Sequence, residues 1–139
     1  KLALYLFFEI LGRKMLMEES KSKFRLLYVT EKMIDYVNDI LPNYPKKEVV
    51  LKQNIEKNQY ELIENIFAYT INDNKRIKEK YLKDFLVKLS MYNYYIEISY
   101  RKKYISSHKL KCISNMFIEL RKLAYGIIRG MRDGISENA

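Results

Sequence analysis

A single cysteine, Cys112, and a single histidine, His108, leave this chain few routes to chemistry. One thiol cannot close an intrachain disulfide, and such sparing use fits a reducing, cytoplasmic compartment. One His and one Cys fall short of the several nitrogen and sulfur ligands of a zinc site. A di-iron bundle needs a Glu three residues before a His on each of two helices, and residue 105 is Ile. No metal and no cofactor are therefore expected. Glycine is scarce too: Gly12, Gly126, Gly130 and Gly134 fit neither a P-loop nor a dinucleotide fingerprint. With only two prolines besides, the chain favours long regular elements over many turns.

Long apolar runs are also missing. The longest, Leu2 to Leu11, is broken by Glu9 and falls short of the roughly 20 residues that cross a bilayer. The Gly12-Arg13-Lys14-Met15 that follows offers no small-residue cleavage site. A surface anchor beside Arg13 and Lys14 would need a second anchoring signal, so no membrane partner is expected. Met15 and Met17 are candidate starts within this leader.

Catalytic groupings are equally thin. Cys112 and His108 stand four apart and share a helix face, but a nucleophilic pair also needs an orienting group and a cleft. Glu61/Glu64 and Glu31/Asp35 sit among lysines, as solvated face charges do, with nothing to raise the pKa of an acid catalyst. We expect no catalytic residue, no small-molecule substrate and no enzyme.

What the chain has is helical periodicity. Its 139 residues suit one domain with a real core. The spacing divides it into a leader or short helix over 1–23, a bundle over 24–132 and a frayed tail over 133–139. The first bundle helix is expected from about Phe24 to Leu41, on Leu27, Met33, Ile34, Val37 and Ile40, with Pro42 stopping it. The second starts near Pro45 and carries Leu51, Ile55, Leu62, Ile66 and Tyr69, interrupted by the polar Asn58. Asn72-Asp73-Asn74 ends it and can cap the third. That helix runs from about Arg76 to Tyr104 on Leu82, Phe85, Leu89, Tyr92 and Ile96. Ser106 or Ser107 caps the fourth, which ends around Gly130. Short joins make sequence neighbours pack antiparallel, giving an all-α, up-down-up-down four-helix bundle.

The second asset is charge. Between Arg101 and Arg132 nine cations face one anion, Glu119, so this stretch is +8 in a chain of +9. Leu110, Ile113, Phe117, Leu120, Ala124, Ile127 and Met131 recur there at alternating steps of three and four, so one helix buries a seam and shows a basic face. Phosphate binding needs several Lys and Arg on one surface. The expected contacts are Arg121, Lys122, Arg129 and Arg132, helped by Arg101, Lys102, Lys103 and Lys111; a merely solvated basic surface is the alternative. Tyrosines crowd the third helix, at Tyr81, Tyr92, Tyr94, Tyr95, Tyr100 and Tyr104. Tyr92 is on the core stripe, while Tyr94, Tyr95 and Tyr104 flank it and are the expected subunit-interface residues.

The join Ile40-Leu41-Pro42-Asn43-Tyr44-Pro45-Lys46-Lys47-Glu48, followed by Leu51 and Ile55, carries a resemblance. So do Tyr104-Ile105-Ser106 and the closing Leu123-Ala124-Tyr125-Gly126-Ile127-Ile128-Arg129. From about Phe24 to Arg132 the chain resembles the bacterial four-helix-bundle family that includes the accessory variability determinant of diversity-generating retroelements. Bundle proteins encoded in intervening sequences of ribosomal RNA genes belong to it as well. Arg121 and Tyr125 stand where that family commonly has glycines, and Ile127 where it commonly has Trp. The resemblance implies a ring-like homo-oligomer, a five-fold barrel of bundles. It also implies a non-enzymatic role beside a reverse transcriptase and its structured RNA. The alternative is an orphan structural or protein-interaction bundle with no nucleic-acid role.

Overall fold

The computed structural model describes residues 2–6 and 17–137, with side chains placed at 2–6 and 21–133. Residues 2–6 are helical, and Tyr5 rests against Phe24 with ring centroids 5.6 Å apart. The rest of the apolar leader, with Arg13, Lys14 and Met15, lies outside the described residues, as do residues 138–139. Four long helices follow: α1 (Met17–Ile40), α2 (Val49–Ile71), α3 (Lys75–Arg101) and α4 (Ser107–Glu137). No strand occurs among the described residues, and no helix there is long and apolar enough to cross a membrane.

The helix ends follow local chemistry. Pro42 ends α1 by closing a 3-10 turn, Leu41–Asn43, and a second turn, Lys46–Glu48, leads from Pro45 into α2. Asn74 caps α3: its Oδ1 accepts from the backbone N–H groups of Arg76 and Ile77. Ser106 caps α4, its Oγ accepting from Lys109 N–H at 3.2 Å. Helix α3 stops at Arg101 rather than Tyr104. Tyr104 N–H reaches back to Ser99 O and Lys103 N–H to Tyr100 O, a Schellman closure with Lys103 at φ 68°.

Two further ends differ from the periodic reading. Helix α1 begins at Met17, seven residues before Phe24, because Met17-Glu18-Glu19 are good helix formers whose acids suit a first turn but carry no apolar stripe. Helix α4 continues through Gly130 to Glu137. Among the described residues no glycine takes positive φ, so Gly130 makes no left-handed cap.

Each helix packs on its neighbours in sequence, and α4 closes the square against α1. Partners run antiparallel: Lys88 of α3 pairs with Glu61 midway along α2, Lys102 with Glu48 at the α2 entrance, and Arg132 of α4 with Glu79 of α3. Across the closing seam Arg25 of α1 holds Glu119 of α4 at 2.6 Å. The stripes of α2 and α3 are buried throughout, with Phe85, Leu89, Leu62 and Ile66 fully enclosed. Burying one such side chain contributes about 1.5–3 kcal/mol. Ile34, Leu110 and Phe117 are only half-buried. The α4 ladder keeps a strict seven-residue period, which drifts about 20° per heptad on a straight helix. By the distal end Ile127 and Ile128 are both buried.

A polar layer crosses the core. Gln59 Nε2 of α2 donates to Asn38 Oδ1 of α1 at 3.0 Å and to the Tyr92 hydroxyl of α3 at 2.9 Å. Burial pushes the Tyr92 phenol well above its ordinary range, opposed by the Gln59 hydrogen bond.

Candidate nucleic-acid interface

The basic residues of the α3–α4 segment fall into two groups along α4. Arg101, Lys102, Lys103 and Lys111 cluster around the α3–α4 join, all exposed. Arg121, Lys122, Arg129 and Arg132 occupy the second half of the helix, also exposed. At 1.5 Å per residue, Lys111 and Arg129 lie about 27 Å apart along the axis. The set is thus an extended surface rather than one compact patch.

Not all of these cations are available. Lys102 Nζ donates to Glu48 at 2.9 Å, and Arg132 is paired with Glu79. The Arg132 guanidinium holds the Glu79 carboxyl below its ordinary value, with Lys83 adding to the effect. Among the described residues no carboxylate pairs with Arg121, Lys122 or Arg129. Glu119, the one anion of the segment, is engaged by Arg25 at the α1 seam and does not neutralise them.

Those three cations share a groove on the outer face of α4 with Ile118 and Tyr125. The positions 118, 121, 122, 125 and 129 fall at helical spacing, so α4 geometry alone brings them to one face. Ile118 and Tyr125 are about half exposed, at 49% and 46%. The Arg121 guanidinium lies 5.8 Å from the Phe117 ring centroid and 5.9 Å from that of Tyr125. This contact holds the cation in place without consuming its charge. The arrangement offers cations for phosphates and a ring for a base. Tyr125 was not among the expected contacts. Its spacing four after Arg121 is the signal that points to it.

A second basic feature opens at the bundle end where α1 starts, α3 starts and α4 nears its end. It is a cleft of about 590 Å³. Lys75, Lys78 and Lys122 line it with Ser22 and Asp73, over a wall of Leu123, Ile127 and Met131. Lys122 therefore faces both the groove and the cleft. Lys78 is buried, its Nζ donating to Tyr69 O at 3.3 Å and standing 5.0 Å from the Tyr69 ring centroid. Sequence reading missed this cleft because a lysine on α3 reads as solvated until the fold places Tyr69 beside it. Gly126 and Gly130, one helical turn apart on α4, were the available signal.

The tyrosines separate by surroundings. Tyr94 is exposed, with its ring 6.3 Å from that of the half-buried Tyr95. Tyr104 is committed within the chain: its ring packs on Tyr44 at 5.0 Å and its hydroxyl donates to Glu48 at 3.0 Å. The Cys112 Sγ and His108 Nε2 are 3.8 Å apart on the first turns of α4. Among the described residues no group of three or more His, Cys, Asp or Glu is placed to hold a metal ion.

The family model for bAvd-like proteins matches residues 21–131, which spans all four helices. No curated protein and no solved structure matches the chain.

Proposed function

Because the chain belongs to the bAvd-like family, we propose that it is a non-enzymatic accessory protein of a diversity-generating retroelement. In this reading it binds structured RNA together with a reverse transcriptase, in the cytoplasm, as a ring-like homo-oligomer. The observation that carries the reading is the α4 groove, where Arg121, Lys122 and Arg129 lack carboxylate partners among the described residues and flank the exposed Tyr125 ring. Such a surface recognises backbone charge and unstacked bases, with little reading of sequence. Arg101, Lys103 and Lys111 extend it towards the α3–α4 join. Self-association uses α3, where Val87, Met91 and Tyr94 stand exposed at i, i+4 and i+7.

The test is affinity for a structured RNA across a salt series, with solution mass measured on the same sample. The native chain should bind tightly at low salt and lose affinity steeply as salt rises. Reversing charge at Arg121→Glu and Arg129→Glu should weaken binding by roughly tenfold or more and flatten that slope. Unchanged affinity in the double variant overturns the site. A multimer with no RNA affinity at low salt would favour the protein-interaction bundle, for which the exposed Val87, Met91 and Tyr94 face is the motivating feature.

A further inference from the structure

We propose that the cleft between α1, α3 and α4 seats a phosphate monoester, carried either at the end of a nucleic-acid strand or by a free nucleotide. The strand source rests on the RNA reading of α4 given above; the phosphate site itself does not. Among the described residues, three lysines, Lys75, Lys78 and Lys122, line the cleft against one carboxylate, Asp73. The balance of +2 matches the charge of about −1.5 to −2 on a monoester near neutral pH. An internal phosphodiester, with a single negative charge, would leave that balance unmet.

Lys78 is the informative member. It is only 7% exposed, and no carboxylate among the described residues pairs with it. A buried ammonium without a counter-charge is costly, and the Tyr69 ring offsets only part of that. Its one described hydrogen bond goes to Tyr69 O, while an ammonium has three donors. An anion in the cleft would supply the missing charge and acceptors. Ser22 adds a hydroxyl at the same wall.

Shape agrees with charge. The volume of about 590 Å³ is that of a small-ligand pocket. Gly126 and Gly130 turn bare backbone towards it, since a Cβ at either would meet nothing within 4 Å. Leu123, Ile127 and Met131 give an apolar wall for the sugar or base that accompanies a phosphate. Lys122 belongs to both the cleft and the outer groove, so a strand lying along α4 would bring its end to the cleft.

The experiment titrates the full chain with adenosine 5′-monophosphate and with adenosine, then with two RNA oligonucleotides identical except for a terminal phosphate. The monophosphate should bind and adenosine should not, and the phosphate-ended RNA should bind roughly tenfold tighter than the hydroxyl-ended one. Gly126→Leu fills the cleft without changing charge and improves helix propensity, so it should fold; it should erase the preference for the terminal phosphate. Lys75→Gln, at an exposed position, should reduce that preference. Equal binding of adenosine and its monophosphate, or a preference for the phosphate that survives Gly126→Leu, overturns the proposal. Steeply salt-dependent binding of both RNAs with no gain from the phosphate, and no binding of the monophosphate, would sink the cleft and leave the RNA reading standing. Monophosphate binding that is lost in Gly126→Leu, with neither RNA bound, would support the cleft with a free nucleotide as its ligand and sink the RNA reading.

Discussion

Lys102 Nζ donates to Glu48 Oε1 at 2.9 Å, tying the end of α3 to the entrance of α2 across 54 residues of sequence. The Tyr104 hydroxyl donates to the same oxygen at 3.0 Å. Lys102 chiefly, then Tyr104, holds the Glu48 carboxyl below its ordinary 4.5. A carboxyl whose pKa is depressed on folding contributes stability above the unfolded value and loses it as pH falls through the folded one. Glu48→Gln should therefore lower the urea midpoint between pH 6 and 8. The gap from the native chain should close below about pH 4. A gap that persists at low pH would assign the effect to packing rather than charge.

The left-handed Lys103 yields a prediction of opposite sign. A non-glycine residue at φ 68° carries a cost of about 1–2 kcal/mol. Lys103→Gly should stabilise the chain by about 1 kcal/mol, read as a rise in melting temperature of several degrees. If Lys103 also contributes to the basic surface, the same variant should bind RNA more weakly at low salt.

The polar layer is testable by a double-mutant cycle. Tyr92→Phe removes one acceptor from the buried Gln59 amide and should cost about 1–3 kcal/mol by leaving a donor unpaired. Gln59→Leu alone should also destabilise, by stranding the Tyr92 hydroxyl. The double variant should recover much of the loss, with a coupling energy on the order of 1 kcal/mol from chemical denaturation. Simple additivity would show that the two groups do not depend on each other.

Within the α4 groove, ring and cation should separate by salt response. Tyr125→Ala should weaken binding of single-stranded RNA by about 1–3 kcal/mol while leaving the salt slope unchanged. Arg121→Gln should instead reduce the slope by about one. Identical slopes in both variants would remove Arg121 from the phosphate contacts.

The elements legible in the sequence were those set by local chemistry. Pro42 as a stop, Asn74 and Ser106 as caps, and the stripes of α2 and α3 all stand where periodicity and capping place them. The rest depended on distant neighbours. Lys102 and Arg132 read as free cations because Glu48 and Glu79 lie 54 and 53 residues away. Lys78 reads as solvated because nothing in its own helix shows that Tyr69 will cover it. Met17 was invisible as a helix start because the first turns of α1 carry no apolar stripe, and Gly130 misread as an end because a helix tolerates glycine at modest cost.

Closure of the square has a consequence for how the protein is made. Helix α1 leaves the ribosome before the other three helices of the bundle, yet it rests chiefly on α4, which is made after α2 and α3. Helices α2 and α3 can pair as soon as both have emerged, as a hairpin of sequence neighbours. The apolar side chains of Leu26, Leu27, Met33 and Val37 are buried in the finished bundle, and the cover of α1 is incomplete until α4 has been added. Translation order and packing order therefore run opposite for this helix, and its apolar face stays partly uncovered until α4 has been made.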